Sequence, residues 1–176
     1  MHPDYAKWKF NRTRLLRRAR NVIAVARELE KEGPIALALC GTSGIWLASE
    51  LVLNNLDVIL VRKESERSHG YQVECADYSE IIRSKNIYFV DDLISSGHTV
   101  QYVIETLNKV NGKLKGVILH DPDSHFFEGR KEELYEKKHE YRLDSGDTVT
   151  VYIPNSYLIN NVFEAEAHTN SHNPRP

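Results

Sequence analysis

A chain of 176 residues, 41% apolar and 27% charged, has the size and make-up to bury one core. Its 23 basic and 25 acidic residues leave a formal net charge of −2, so charge alone names no polyanionic partner. No apolar run approaches the roughly 18 residues a spanning helix needs, and no signal-peptide core opens the chain. Two cysteines, Cys40 and Cys75, make neither a disulfide framework nor a metal-ligand spacing, so reduced thiols in a cytoplasmic protein with no membrane association are expected.

In chain order, the first feature is a basic cluster: Lys7, Lys9, Arg12, Arg14, Arg17, Arg18 and Arg20, with no acid among them. Such a cluster can mark nucleic-acid contact, but a solvated helix face or a subunit contact accounts for it more simply, and nucleic acid is not the expected partner. Residues 11–32 read as one long helix, with Leu15, Ala19, Val22, Ile23, Ala26 and Leu29 at helical spacing and Gly33-Pro34 ending it. Residues 35–39 form a continuous apolar run, the pattern of a strand covered on both faces. Gly41-Thr42-Ser43-Gly44 follows as a turn, then a helix over 45–54 and a second strand over 57–61. Residues 62–74 are polar and aperiodic, a loop long enough to be functional. A third strand over 86–90, a helix over 99–110 and a fourth strand over 115–119 complete the alternation. Strands alternating with helices predict an α/β fold, a parallel Rossmann-like sheet with helices on both faces. Residues 128–140 read as helix and 148–153 as an edge strand. One domain over 1–167, with its core over about 35–120, and a disordered polar tail over 168–176 are expected.

The segment Ile87-Tyr88-Phe89-Val90-Asp91-Asp92-Leu93-Ile94-Ser95-Ser96-Gly97-His98-Thr99 is the most informative. An apolar strand runs into two carboxylates, two apolar residues and a small hydroxyl-rich turn that opens a helix. In a parallel sheet, ligands sit beyond the carboxyl ends of the strands. Asp91 and Asp92 thus fall on the binding edge, and Ser95–Thr99 offers backbone N–H groups and a helix dipole to an anion. Carboxylates for hydroxyls beside a nest for phosphate suit a sugar phosphate. An Asp N-cap without a ligand is the plainer account of the same residues.

The whole pattern resembles the binding motif for phosphoribosyl pyrophosphate (PRPP) of the type I phosphoribosyltransferases, an apolar strand, two acids, two apolar residues and a Thr/Ser-Gly-x-Thr turn; residues 90–99 match it at every defining position. The resemblance extends over about 35–119. It implies the family's α/β core with a base-covering, hood-like C-terminal region, and transfer of ribose 5-phosphate from PRPP to a nucleobase nitrogen with release of pyrophosphate. It also implies that Asp91 and Asp92 hold the ribose hydroxyls, and that Ser95, Ser96, Gly97, His98 and Thr99 cradle the 5-phosphate. Gly41, Thr42, Ser43 and Gly44 would form the pyrophosphate loop, here without the basic residue relatives often carry, and Arg62 and Lys63 would face pyrophosphate. The stretch Arg62-Lys63-Glu64-Ser65-Glu66-Arg67-Ser68-His69-Gly70 is similar to the mobile catalytic loop of orotate enzymes; Lys63, Arg67 and His69 would then close over PRPP and exclude water. Mg²⁺ is the implied cofactor, held mainly by PRPP and water with Asp91 and Asp92 behind the water, and a homodimer is the family habit.

The base is not encoded legibly. Enzymes for 6-oxopurines usually carry Asp where Ser95 stands, and orotate enzymes carry Arg where this chain reads His120-Asp121-Pro122-Asp123. Phe126, Phe127, Tyr152 and Tyr157 are candidates to stack on a base, with core packing as the simpler role of each. Two rivals stay open. One is a PRPP-binding regulator without chemistry, its basic N-terminal helix touching nucleic acid or a partner. The other is a different phosphate-binding α/β protein, for which neither a P-loop lysine nor Gly-x-Gly-x-x-Gly is present.

Overall fold

In a computed structural model the described residues are 12–66, 71–92, 94–120 and 135–154, without the side chains of Thr42, Ser43, Glu66 and residues 135–139. Helix α1 (Arg12–Glu30) leads into β1 (Ile35–Cys40), two short helices α2 (Gly41–Ile45) and α3 (Ala48–Leu53), and β2 (Asp57–Val61). A 3-10 turn (Glu64–Glu66), β3 (Val73–Cys75), α4 (Tyr78–Ser84), β4 (Asn86–Asp91), α5 (His98–Lys109) and β5 (Leu114–Leu119) follow, then β6 (Tyr135–Arg142) and β7 (Thr148–Pro154). Among the described residues, seven strands form one sheet in the order β3-β2-β1-β4-β5-β7-β6. Strands β2, β1, β4, β5 and β7 are parallel, and β3 and β6 are antiparallel edge strands. The expected α/β fold with helices on both faces is present.

Strand alternation builds two cores. Leu37, Leu39, Tyr88, Val90 and Ile118 point to the face covered by α1 and α3, where Ala19, Val22, Val25, Ala26 and Leu29 of α1 meet Leu47 and Leu51. Ala36, Ala38, Ile87, Phe89 and Val117 point to the opposite face and pack against Val100, Val103 and Leu107 of α5 and Ile81 and Ile82 of α4. The fully buried run of β1 is thus explained by cover on both sides.

Several expected boundaries shift. The expected turn at Gly41–Gly44 and helix over 45–54 are replaced by two short helices joined at the buried Leu47. Gly41, at φ +65, lets the chain leave β1 and wind at once. The expected loop over 62–74 includes β3, which pairs with β2 as a hairpin. The helix expected over 128–140 is overturned where it overlaps described residues, because Tyr135–Arg142 is a strand. Its Glu and Lys suit helix by propensity, but pairing with β7 decides, and an edge strand accommodates charge. That pairing also places β7 inside the sheet, not at its edge as expected. Helix α4, capped by the Asp77 carboxylate on the Glu80 N–H at 3.0 Å, had no counterpart in the expected elements. No described helix is long and apolar enough to cross a membrane. The 168–176 tail, Phe126, Phe127 and Tyr157 lie outside the described residues, as do Lys7 and Lys9.

Candidate functional site

The chain leaves β1 towards β2 on one side, and leaves β4 towards β5 on the other. The segments after them, α2–α3 and α5, pack on opposite faces. Such a reversal between adjacent parallel strands opens a crevice at their carboxyl ends. The register puts Val61 beside Cys40, and Asp91 beside Leu119, while Leu39 pairs with Val90. One step further along, Cys40 and Asp91 are level. The residues next in sequence, Arg62, Gly41, Asp92 and His120, therefore leave the sheet side by side.

The two acids are not equivalent. Asp91 is only 7% exposed, and one carboxylate oxygen accepts the Asp92 N–H at 2.9 Å. Asp92 is half-buried and stands beyond the last residue of β4. The turn that follows reaches α5 through Gly97, its N-cap, at φ +76 without a side-chain cap. Ser95, Ser96 and His98 are exposed and Thr99 is half-buried. The first N–H groups of α5 have no acceptor within the helix; that of His98 lies 3.5 Å from the Ser96 hydroxyl.

The β6–β7 hairpin backs this turn. A Cβ on Gly97 would lie 2.9 Å from Leu143 Cδ2 and 3.7 Å from Tyr141 Cε1. The Tyr141 hydroxyl donates to the Ser95 carbonyl at 3.4 Å, and the Ser145 hydroxyl donates to Gln101 Oε1 at 2.9 Å. Nothing in the sequence pattern marked Tyr141 or Leu143, since their place follows from a hairpin whose first strand reads as helix and whose connection to the second carries no motif.

On the neighbouring strand ends, a Cβ at Gly41 would lie 3.6 Å from Lys63 Cε and 3.7 Å from its Nζ, so the exposed Lys63 amine lies against the start of α2. Thr42 and Ser43 are in α2, and Gly44 packs on Leu39, where a Cβ would lie 3.2 Å from the leucine Cβ. Arg62 is directed elsewhere: its guanidinium forms a two-point ion pair with Glu74, Nε to Oε1 at 2.9 Å and Nη2 to Oε2 at 3.1 Å. Arg67 and His69 lie outside the described residues. The structure thus brings together Gly41, Lys63, Asp91, Asp92 and the 95–99 turn. Arg62 is drawn to β3.

The basic cluster does not form one solvated face. Arg12 and Arg20 are exposed, whereas Arg18 is 4% exposed in the stripe that holds Val22 and Val25. Asn21, one turn on, donates to the His120 carbonyl at 3.4 Å, so this end of α1 lies over the carboxyl end of β5. Tyr152 meets Tyr88 edge-on, centroids 5.7 Å apart, and packs against the core beneath α1.

No known family model matches the sequence, and no curated protein does. Among solved structures the chain is similar to orotate phosphoribosyltransferase of Mycobacterium tuberculosis H37Rv in complex with inorganic phosphate, at 15% identity over 63% of this chain and 59% of that one, TM-score 0.44. The same enzyme in complex with PRPP matches at 15% identity over 53% of each chain, TM-score 0.40. Adenine phosphoribosyltransferase of Thermoanaerobacter pseudethanolicus matches at 16% identity over 56% of this chain and 64% of that one, TM-score 0.42. The chain thus spans between 53% and 64% of the length of these relatives, and likeness of this degree assigns no role to any residue.

Proposed function

We propose that the chain transfers ribose 5-phosphate from PRPP to a nucleobase nitrogen and releases pyrophosphate. One observation carries the reading: at the crevice between β1 and β4, an acid-ended strand runs into a hydroxyl-rich glycine turn at a helix N-terminus, with the Lys63 amine at the adjacent strand end. That order of anion nest, carboxylate and cation matches the order of 5-phosphate, ribose hydroxyls and pyrophosphate along PRPP. The N–H groups at the start of α5, with Ser95, Ser96 and Thr99, receive the 5-phosphate. Asp92 accepts from ribose hydroxyls, and Asp91 fixes the Asp92 backbone. As the C1–O bond lengthens, Asp92 favours the positive charge growing on the ring, and Lys63 stabilises the charge on departing pyrophosphate. Holding the base nitrogen opposite the leaving group supplies the remainder by orientation. Arg67 and His69 are assigned to the closing loop on sequence grounds alone.

Among the described residues, no three His, Cys, Asp or Glu side chains gather as a metal cage, and one Asp91 oxygen is already engaged. Such side chains would suit Mg²⁺ held mainly by pyrophosphate and water, with Asp92 and the second Asp91 oxygen behind that water. Bound there, Mg²⁺ would supply charge neutralisation on the leaving group.

The test is pyrophosphate release by the isolated chain with Mg²⁺, PRPP and, in turn, adenine, hypoxanthine, guanine, xanthine, orotate, uracil and nicotinate. Release with one base supports transfer. Tight PRPP binding with every base inert replaces it with the regulator reading, and absence of PRPP binding ends both.

A further inference from the structure

We infer that Tyr102 is a positioning residue that ties the phosphate-binding helix to the pyrophosphate-facing Lys63; the inference rests on the reading of the site given above. Tyr102 lies one turn into α5, four residues after His98, with its ring against the core. Its hydroxyl donates to the Arg62 carbonyl at 2.7 Å and accepts from Gln72 Nε2 at 3.1 Å. Both contacts fall at the root of the excursion between β2 and β3, which the Arg62 N–H closes by donating to the Gln72 carbonyl at 2.9 Å. Beyond it, the Arg62–Glu74 ion pair clamps the same two strands.

Lys63 is the next residue after the carbonyl that Tyr102 holds. A hydrogen bond to that carbonyl fixes the peptide plane between Arg62 and Lys63, and with it the direction in which the lysine leaves the backbone. The lysine then reaches Gly41. A continuous path thus runs from the first turn of α5 through one phenol to the cation at the far end of the crevice. A long, flexible lysine on an exposed segment loses much freedom when it holds an anion, and a fixed backbone reduces that loss. Tyr102 need not touch substrate to matter for it. Nothing in the sequence marks it, because it sits on the half-buried flank of a helix and acts through one backbone carbonyl and one side-chain amide, 40 and 30 residues away in the chain.

The consequence is selective. PRPP reaches both the α5 turn and Lys63, whereas ribose 5-phosphate lacks the pyrophosphate and reaches only the turn. Tyr102→Phe, which removes the hydroxyl and keeps the ring, should weaken PRPP binding about 2- to 10-fold, the range of one hydrogen bond, and leave ribose 5-phosphate binding within about 2-fold. Lys63→Ala should show the same selectivity, and the double variant should bind PRPP no worse than Lys63→Ala alone. Titration calorimetry on the full chain with Mg²⁺ reads all of these. Should Tyr102→Phe not fold, Gln72→Leu keeps the phenol, removes the amide that orients its hydroxyl, and should show the same selectivity. Equal weakening of both ligands, or additive effects of the two substitutions, overturns the inference. PRPP binding unchanged in the variant overturns it alone, while an unmodified chain that binds no PRPP overturns it together with the reading of the site.

Discussion

Gly97 is the point where backbone conformation, packing and the proposed phosphate site meet, so Gly97→Ala tests all three. At φ +76 the residue is in the left-handed region, which costs an L-residue with a Cβ roughly 1–2 kcal/mol. The new methyl would also lie 2.9 Å from Leu143 Cδ2. Leu143 is buried, so it can yield only by disturbing the core, and overpacking of this kind costs about 1–3 kcal/mol. The lower entropy of alanine in the unfolded chain offsets only about 0.4–1 kcal/mol of these losses. A loss of about 2–4 kcal/mol is expected by urea unfolding. If the turn shifts to relieve the contact, its N–H groups leave the anion, and affinity for ribose 5-phosphate should fall at least about 10-fold. Leu143→Ala removes the obstructing methyl, so the double variant should be more stable than the sum of the two losses predicts. A Gly97→Ala variant within about 0.5 kcal/mol of the parent, or strict additivity with Leu143→Ala, would refute the reasoning.

Gly116→Ala sets a Cβ 2.8 Å from the Thr150 carbonyl oxygen and 2.8 Å from a Tyr152 ring carbon, so β5 and β7 must part; a loss of about 2–3 kcal/mol by urea unfolding is expected. Burial first, then the neighbouring Tyr152, push the Tyr88 phenol up to about 12 from its ordinary 10.0. The unfolded chain ionises first, so this contribution is whole below pH 10 and is lost as pH rises towards 12, about 1–3 kcal/mol in all. Tyr88→Phe should flatten the fall in Tm over that window, and an unchanged alkaline profile would count against it. Asp92→Asn should weaken PRPP binding about 10- to 100-fold by calorimetry, whereas Asp91→Asn, which keeps an oxygen for the Asp92 N–H, should cost less than about 5-fold. Equal losses would remove the distinction between the two acids.

The parallel core was legible because its signals are local. An apolar run such as Ile35–Cys40 has few destinations but a strand covered on both faces, and the α1 stripe has the helical period. The 95–99 turn was legible for the same reason: small, hydroxyl-bearing residues and a glycine mark a tight turn locally, and Gly97 takes the left-handed φ of +76 that glycine adopts without strain. What failed depended on distant partners. Tyr135–Arg142 is charged like a surface helix and becomes a strand only because β7 pairs with it. Val73–Cys75, three residues long, is a strand only because β2 is beside it. For the site, Arg62 and Lys63 read as adjacent cations, yet Glu74 on β3 draws one away while the other reaches Gly41. Sequence adjacency held no information about that division.

The same pleat explains why neighbouring acids take different work. Along β4 the residues at 87, 89 and 91 share one face, and Ile87 and Phe89 are on the α5 side of the sheet. Asp91 is therefore carried towards the buried face and takes up the next backbone N–H, an arrangement that leaves no bare donor where the strand ends. Asp92 follows the last strand residue, so the pleat no longer dictates its direction, and it remains partly open to solvent. In the proposed site, a carboxylate that meets a ligand needs that openness, and one that aims its neighbour needs the opposite. The doublet is better understood as a holder and a held group than as a pair of equal ligands, and the glycine turn two apolar positions later receives a chain whose exit has already been fixed.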